Sequence, residues 1–214
     1  MLLDLDGTLV DSRHDLATAT NLLMRDLELE PIPLKTVVSF VGRGARTLVR
    51  RALDHADPAQ RVSRTDPRLR RFLAHYESVL LDTTAPFPGV RAGLAQLKAR
   101  GVPMAVVTNK PISPALRVID GLGLTEYFGG ILGGDSLPTR KPAPEMLIEA
   151  ARMLHVPLQS CLMVGDSDVD MEAAESAGIR GVWCSWGGFH PEQPRGECER
   201  VDVFDELVLL ARSS

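Results

Sequence analysis

Asp4 and Asp6 stand at alternate positions directly after the apolar start Met1-Leu2-Leu3 and directly before Gly7-Thr8. Alternate side chains of an extended segment leave on the same side, so the two carboxylates come off the strand together. Close carboxylates repel unless a cation joins them. Mg²⁺ is the natural partner, being held by one or two carboxylates plus waters and substrate phosphate oxygens. Asp166 closes another apolar run and Asp170 lies four residues on, one helical turn, which lets both face the same cation. Lys141 and the hydroxyl of Thr108 answer the opposite need, since they neutralise and hydrogen-bond phosphoryl oxygens as charge shifts during transfer. Taken singly, the aspartates also suit caps or turns and Lys141 an exposed surface. The conjunction favours chemistry, because the chain has only four lysines, Lys35, Lys98, Lys110 and Lys141. Ser167 and Asp168 suit turn or N-cap duty equally well.

Something must carry these residues to one place. From Phe87 onward short apolar runs alternate with helical periodicity, which predicts strands over 2–5, 103–108, 130–132, 160–164 and 181–184. The intervening helices are expected over 90–100, 113–122, 144–154, 169–177 and 203–212, with Gly101, Gly123 and Gly178 just past three of their ends. Such alternation is the pattern of a doubly wound, Rossmann-like α/β fold, a parallel sheet with helices on both faces. The clusters at Asp4–Thr8, Thr108-Asn109-Lys110, Lys141 and Asp166–Asp170 all follow strands. Open sheets of this kind bind ligands outside their carboxyl ends, where strand order reverses.

Residues 15–81 differ. They hold no convincing strand and read as helices over 15–27, 46–55 and 68–80, with a break at Pro31 and Pro33. The expected organisation is therefore an α/β core over 1–14 and 82–214 with a helical insertion over 15–81 after the first strand, Pro86 and Pro88 marking the return crossing. Arg61, Arg64, Arg68, Arg70 and Arg71 crowd one end of the insertion and read as a solvated helix face.

The 214 residues carry a formal net charge of -4, which offers no general attraction to nucleic acid or an anionic membrane surface. No apolar run approaches the roughly 20 residues of a membrane span, and no signal-peptide pattern opens the chain, so the expected location is the cytoplasm. Cys161, Cys184 and Cys198 form no CxxC pair, which argues against a zinc site or disulfide framework. Cysteine-based phosphatase chemistry is also disfavoured, since Ser167 and His190, not arginine, lie six residues after Cys161 and Cys184. With only three residues before Asp4, the first strand is expected to be short, and an apolar N-terminal extension is expected to raise the melting temperature.

The four clusters together resemble the four motifs of the haloacid dehalogenase superfamily, and the resemblance covers nearly the whole chain. The insertion resembles the cap domain of the phosphoglycolate phosphatase branch. So does the run Met104-Ala105-Val106-Val107-Thr108-Asn109-Lys110-Pro111 with Gly133-Gly134-Asp135, while Gly42-Arg43-Gly44-Ala45 is similar to the cap substrate loop of that branch. The resemblance implies that Asp4 is a nucleophile forming an aspartyl-phosphate, and that Asp6 protonates the leaving alcohol and then deprotonates water. It further implies Mg²⁺ held by Asp4, the backbone carbonyl of Asp6 and Asp166. Asp170, Gly7 and Thr8 would support this site, and Thr108, Asn109 and Lys141 would bind the phosphoryl group. Arg43 and Arg46 are candidates for a substrate carboxylate, with solvent-facing arginines as the other reading.

Asp6 favours phosphoryl transfer over carbon dehalogenation, whose enzymes lack it in this family. The expected activity is Mg²⁺-dependent hydrolysis of 2-phosphoglycolate, a small anionic phosphomonoester, by a monomer or homodimer with no nucleic-acid or membrane partner. Rivals are a phosphatase or phosphomutase for a sugar phosphate or other small ester and, from a different class, a non-catalytic phospho-aspartate switch. Trp183, Trp186, Gly187, Gly188 and Phe189, at and after the end of the last expected strand, read first as packing, with a loop near the metal site as the other reading.

Overall fold

The computed structural model describes residues 1–57, 66–187, 189 and 198–211. Arg61, Arg64, Gly188 and His190, named above, and position 212 at the end of the last expected helix lie outside the described residues. The chain divides into two compact units, Met1–Asp11 with Pro86–Ser214, and Ser12–Ala85.

In the first unit, six strands form one parallel sheet: β1 (Leu2–Leu3), β4 (Ala105–Val107), β5 (Gly130–Leu132), β6 (Leu162–Gly165), β7 (Arg180–Cys184) and β8 (Glu199–Val201). Two further short strands, β2 (Val10–Asp11) and β3 (Ala85–Pro86), mark the crossings to and from the second unit. The sheet order is β5-β4-β1-β6-β7-β8. From β1 the chain builds outward through β4 and β5, then returns to the other side of β1 for β6, β7 and β8. That reversal is the doubly wound arrangement, and it makes the carboxyl ends of β1, β4 and β6 the switch point where such sheets take ligands.

Register brings the site residues level. Leu3 pairs with Val106 and with Val164, and Asp4 N–H donates to Val164 O at 2.9 Å. Asp4, Thr108 and Asp166 therefore emerge within about a residue of one another along the strand direction. The core strands are buried on both faces, as a helix-covered parallel sheet requires. Leu2, Ala105, Val107 and Met163 pack with α7 (Glu145–Met153) and α8 (Asp168–Ala177) in one apolar cluster. The remaining helices of this unit are α5 (Val90–Ala99), α6 (Ile112–Gly121) and α9 (Phe204–Leu210), and α5 packs on α9.

Several strands are shorter than expected, for local reasons. Leu5 O accepts from Thr8, Leu9 and Val10 N–H, which turns the chain out of the sheet directly after Asp4. Pro103 lacks an N–H, so the ladder opens at Ala105, which donates to Met1 O at 3.1 Å. β8 was not foreseen, because Glu-Arg-Val at a sheet edge carries no apolar run.

The second unit is helical: α1 (Arg13–Asp26), α2 (Leu34–Val38), α3 (Ala45–Ala56) and α4 (Pro67–Val79), with α1 packed along α4. α2 was missed in the sequence because its five residues are too few for a period; it starts where Pro33 O accepts from Thr36 and Val37 N–H. The unit extends beyond 15–81 at both ends because Asp15 binds them together. Its carboxylate, 1% exposed, accepts from the N–H and hydroxyl of both Thr83 and Thr84. Asp66 caps α4 through Arg68 N–H and pairs with the Arg68 guanidinium at 2.7 Å, and Arg71 lies 3.8 Å from Asp26. Among the described residues no helix is long and apolar enough to cross a membrane.

Candidate active site

Four carboxylates and two lysines gather at the switch point, and the structure sorts them into two groups. Asp4, Asp166 and Asp170 each present an oxygen so that all three lie within 4.8 Å of one another. Lys141, buried to 1% of its side-chain surface, puts Nζ 2.6 Å from Asp170 Oδ1 and 3.0 Å from Asp4 Oδ1. Asp6 takes the other lysine: Lys110 Nζ donates to both of its oxygens, at 2.9 and 3.1 Å. Asp4 and Asp6, expected to be joined by a cation, are thus each set against a lysine. Each alternate carboxylate has a lysine of its own, from a different loop.

Asp170 is placed by its helix. Its Oδ2 accepts from Ser167 N–H at 3.2 Å and Ser167 Oγ–H at 2.6 Å, closing a capping box at the start of α8. That leaves Oδ1 for Lys141. Ser167 is therefore an N-cap, one of the two readings its position allowed, and Asp168 is exposed beside it. Thr108 and Asn109 directly follow β4, both buried. Thr108 Oγ1 accepts from Lys110 N–H at 3.2 Å, which leaves its own proton to donate elsewhere, and Asn109 Nδ2 donates to Lys141 O at 2.9 Å. Asn109 thereby ties the loop that carries Lys141 to the end of β4.

Burial sets the electrostatics. Loss of water pushes the Asp4 carboxyl up to about 6; Lys141 beside it pulls the other way and Asp170 adds to the rise. Burial and the neighbouring Asp170 and Asp4 charges push Asp166 well above the usual carboxylate range. Burial alone would lower Lys141, yet Asp170 and Asp4 hold it above the ordinary lysine value. Three buried acids against one lysine leave negative charge uncompensated. The atoms record the same deficit. Asp166 Oδ2 is buried with no hydrogen-bond partner, and Asp4 Oδ1 faces Lys141 at 3.0 Å without the direction of a hydrogen bond. An unpartnered Asp166 oxygen beside two further buried carboxylates is the donor set of a hard divalent cation, so the residues fit one.

Two glycines make the approach possible. Gly7 has φ +89°, and a side chain there would overlap the Asp166 carboxylate. A side chain on Gly187 would overlap Gly7 O and Asp166. Gly187 and both tryptophans belong to the segment whose second reading is a loop near the metal site, and the structure places them there. Trp183 Nε1 donates to Asp166 O at 3.2 Å and Trp186 Nε1 to Thr8 O at 3.0 Å, so each indole holds a loop that bears a site residue. Lys110 was visible only as part of Thr-Asn-Lys. Its scarcity as one of four lysines was the available signal.

Arg43 and Arg46 lie in the helical unit, Arg43 exposed in the turn before α3 and Arg46 half-buried on it.

The chain is also similar to known proteins over most of its length. The family model for haloacid dehalogenase-like hydrolases matches residues 1–178. A phosphoglycolate phosphatase of Cupriavidus necator is 41% identical over 212 residues, covering 98% of this chain and 91% of its own. A second, from Neisseria meningitidis, is 42% identical and covers 86% and 79%. Among solved structures, a predicted phosphoglycolate phosphatase from Haemophilus somnus superposes with a TM-score of 0.89 at 31% identity, covering 98% and 96%. A phosphate complex of CbbY from Rhodobacter sphaeroides superposes at 0.79 with 25% identity, covering 96% and 94%. The resemblance runs along almost the whole length of such relatives, and the chain belongs to the haloacid dehalogenase-like hydrolases as a phosphatase of that family.

Proposed function

We propose that this enzyme hydrolyses 2-phosphoglycolate to glycolate and phosphate, with Mg²⁺ bound, through a phosphoryl group carried transiently on Asp4. The observation that carries the reading is the buried Asp4 carboxylate set between Lys141 and the Asp166–Asp170 pair, with an oxygen that makes no directed hydrogen bond. Relatives named for this substrate, about 40% identical over most of the chain, support the choice of ester.

Mg²⁺ held by Asp4, Asp166 and the backbone carbonyl of Asp6 would offset the phosphoryl charge and keep Asp4 ionised. The Asp4 oxygen attacks phosphorus in line as the ester P–O bond breaks, and Asp6 gives its proton to the leaving glycolate oxygen. Lys141 and the Thr108 hydroxyl hold the phosphoryl oxygens, with Asn109 beside them. In the second half-reaction Asp6 takes a proton from water. The water oxygen attacks phosphorus, and the bond to Asp4 breaks to return the carboxylate and release phosphate. Asp170 keeps Lys141 in place throughout, while Gly7 and Thr8 shape the loop. The helical unit acts as the cap that selects the leaving group, with Arg43 and Arg46 receiving the substrate carboxylate. The working enzyme is cytoplasmic, as a monomer or homodimer.

The test is phosphate release with and without Mg²⁺ across 2-phosphoglycolate and a panel of sugar and carboxylate phosphates, with Asp4→Asn as the blank. Strong preference for 2-phosphoglycolate is expected. Preference for a sugar phosphate would keep the phosphatase and overturn the substrate. No release from any ester, with a persistent phospho-Asp4, would replace the reading by a phospho-aspartate switch.

A further inference from the structure

We infer that Lys110 is the positioning residue for Asp6: it holds that carboxylate out of the acidic cluster and affects the reaction only through it. The inference rests on Asp6 being the proton donor and acceptor of the proposed reaction.

Asp4 and Asp6 are two residues apart on one short segment, beside Asp166 and Asp170, so four carboxylates compete for the same positive charge. Left to itself, Asp6 would be drawn toward Lys141 or toward whatever cation the other three hold, and a proton carrier bound in that way is lost to proton transfer. The structure keeps it out. Both Asp6 oxygens accept from Lys110 Nζ, at 2.9 and 3.1 Å, which fixes the carboxylate plane. The group that gathers around Lys141 contains Asp4, Asp166 and Asp170 but not Asp6.

Lys110 is itself well held. Its side chain is 3% exposed and that of Asp6 11%. Its N–H donates to Thr108 Oγ1 at 3.2 Å, and its carbonyl accepts from Gly134 N–H at 2.7 Å. The same hydroxyl that is proposed to hold a phosphoryl oxygen thus fixes the backbone from which Lys110 reaches Asp6. An ammonium is costly to bury, and here its stem runs from the end of β4 to the one carboxylate assigned to proton transfer.

The experiment uses the full chain with Mg²⁺ and two esters, 2-phosphoglycolate and p-nitrophenyl phosphate. p-Nitrophenolate leaves without needing a proton, whereas water still needs a base to attack phospho-Asp4. Lys110→Met should lower kcat on 2-phosphoglycolate on the order of 100-fold, within the range of a general acid–base group, and change KM by less than about threefold. On p-nitrophenyl phosphate the first burst of p-nitrophenolate should keep its wild-type rate while turnover slows, and acid-trapped phospho-Asp4 should accumulate. In an Asp6→Ala background, Lys110→Met should cost nothing further. Lys110→Gln carries the same comparisons if the methionine variant does not fold. Unchanged kcat, a burst that falls in step with turnover, or a full further loss in the Asp6→Ala background would overturn the inference. If Asp4→Asn keeps full activity, the proposed reaction fails instead, and the assignment of Lys110 falls with it.

Discussion

The Asp4 carboxyl is the group on which chemistry and stability pull hardest against each other, and Asp4→Asn should expose the conflict. In the cation-free protein, burial lifts this carboxyl from 3.8 to about 6. A carboxyl whose folded pKa lies above its unfolded value binds more protons folded than unfolded. The stability it confers is therefore complete below about pH 3.8 and is lost as pH rises through about 6. At about 1.4 kcal/mol per pKa unit, ionising Asp4 in the folded state costs about 3 kcal/mol by pH 8. Asparagine never ionises. With a chelator present, Asp4→Asn should match the wild type near pH 4 and exceed it at pH 8 by up to about 3 kcal/mol, while turnover is abolished. For a chain of this size that is a rise of about 6–12 °C in Tm. Thermal unfolding followed by circular dichroism across pH 4–8 in EDTA measures it directly. Adding Mg²⁺ at pH 8 should stabilise the wild type more than the variant, because the carboxylate then gains its cation. A variant equal to or less stable than the wild type at pH 8 in EDTA would refute the claim that this site stores uncompensated charge.

Lys141→Met should leave Asp170 and Asp4 buried without their cation, costing about 3–5 kcal/mol in urea unfolding and eliminating turnover. Gly187→Ala places a methyl group against Gly7 O and Asp166; the expected cost is about 1–3 kcal/mol. It should also weaken Mg²⁺ binding, read by titrating the fluorescence of Trp183 and Trp186, whose indoles hold the loops concerned. Asp15→Ala strands four donors on Thr83 and Thr84 and should destabilise the protein by about 3 kcal/mol in thermal melts, whereas Asp15→Asn should recover part of it.

The sequence by itself determined the fold class and named most of the residues that the structure brings together at the switch point. Parallel strands buried on both faces must be apolar, and helices that cover them must repeat every 3.6 residues, so the alternation after Phe87 is a direct print of the architecture. Asp4, Thr108, Lys141 and Asp166 were legible for a related reason: each polar group follows an apolar run, and polar groups gather where a parallel strand leaves its sheet. Only the tertiary structure decided how the charges divide. Which lysine answers which carboxylate depends on strand order and register, which bring residue 110 to residue 6 and residue 141 to residues 4 and 170, and no local pattern encodes distances across a hundred positions. The same holds for Gly187, Trp183 and Trp186. Alone in the chain they are ordinary packing residues; they act on the site because β7 lies beside β6 and returns its loop against Gly7, Thr8 and Asp166.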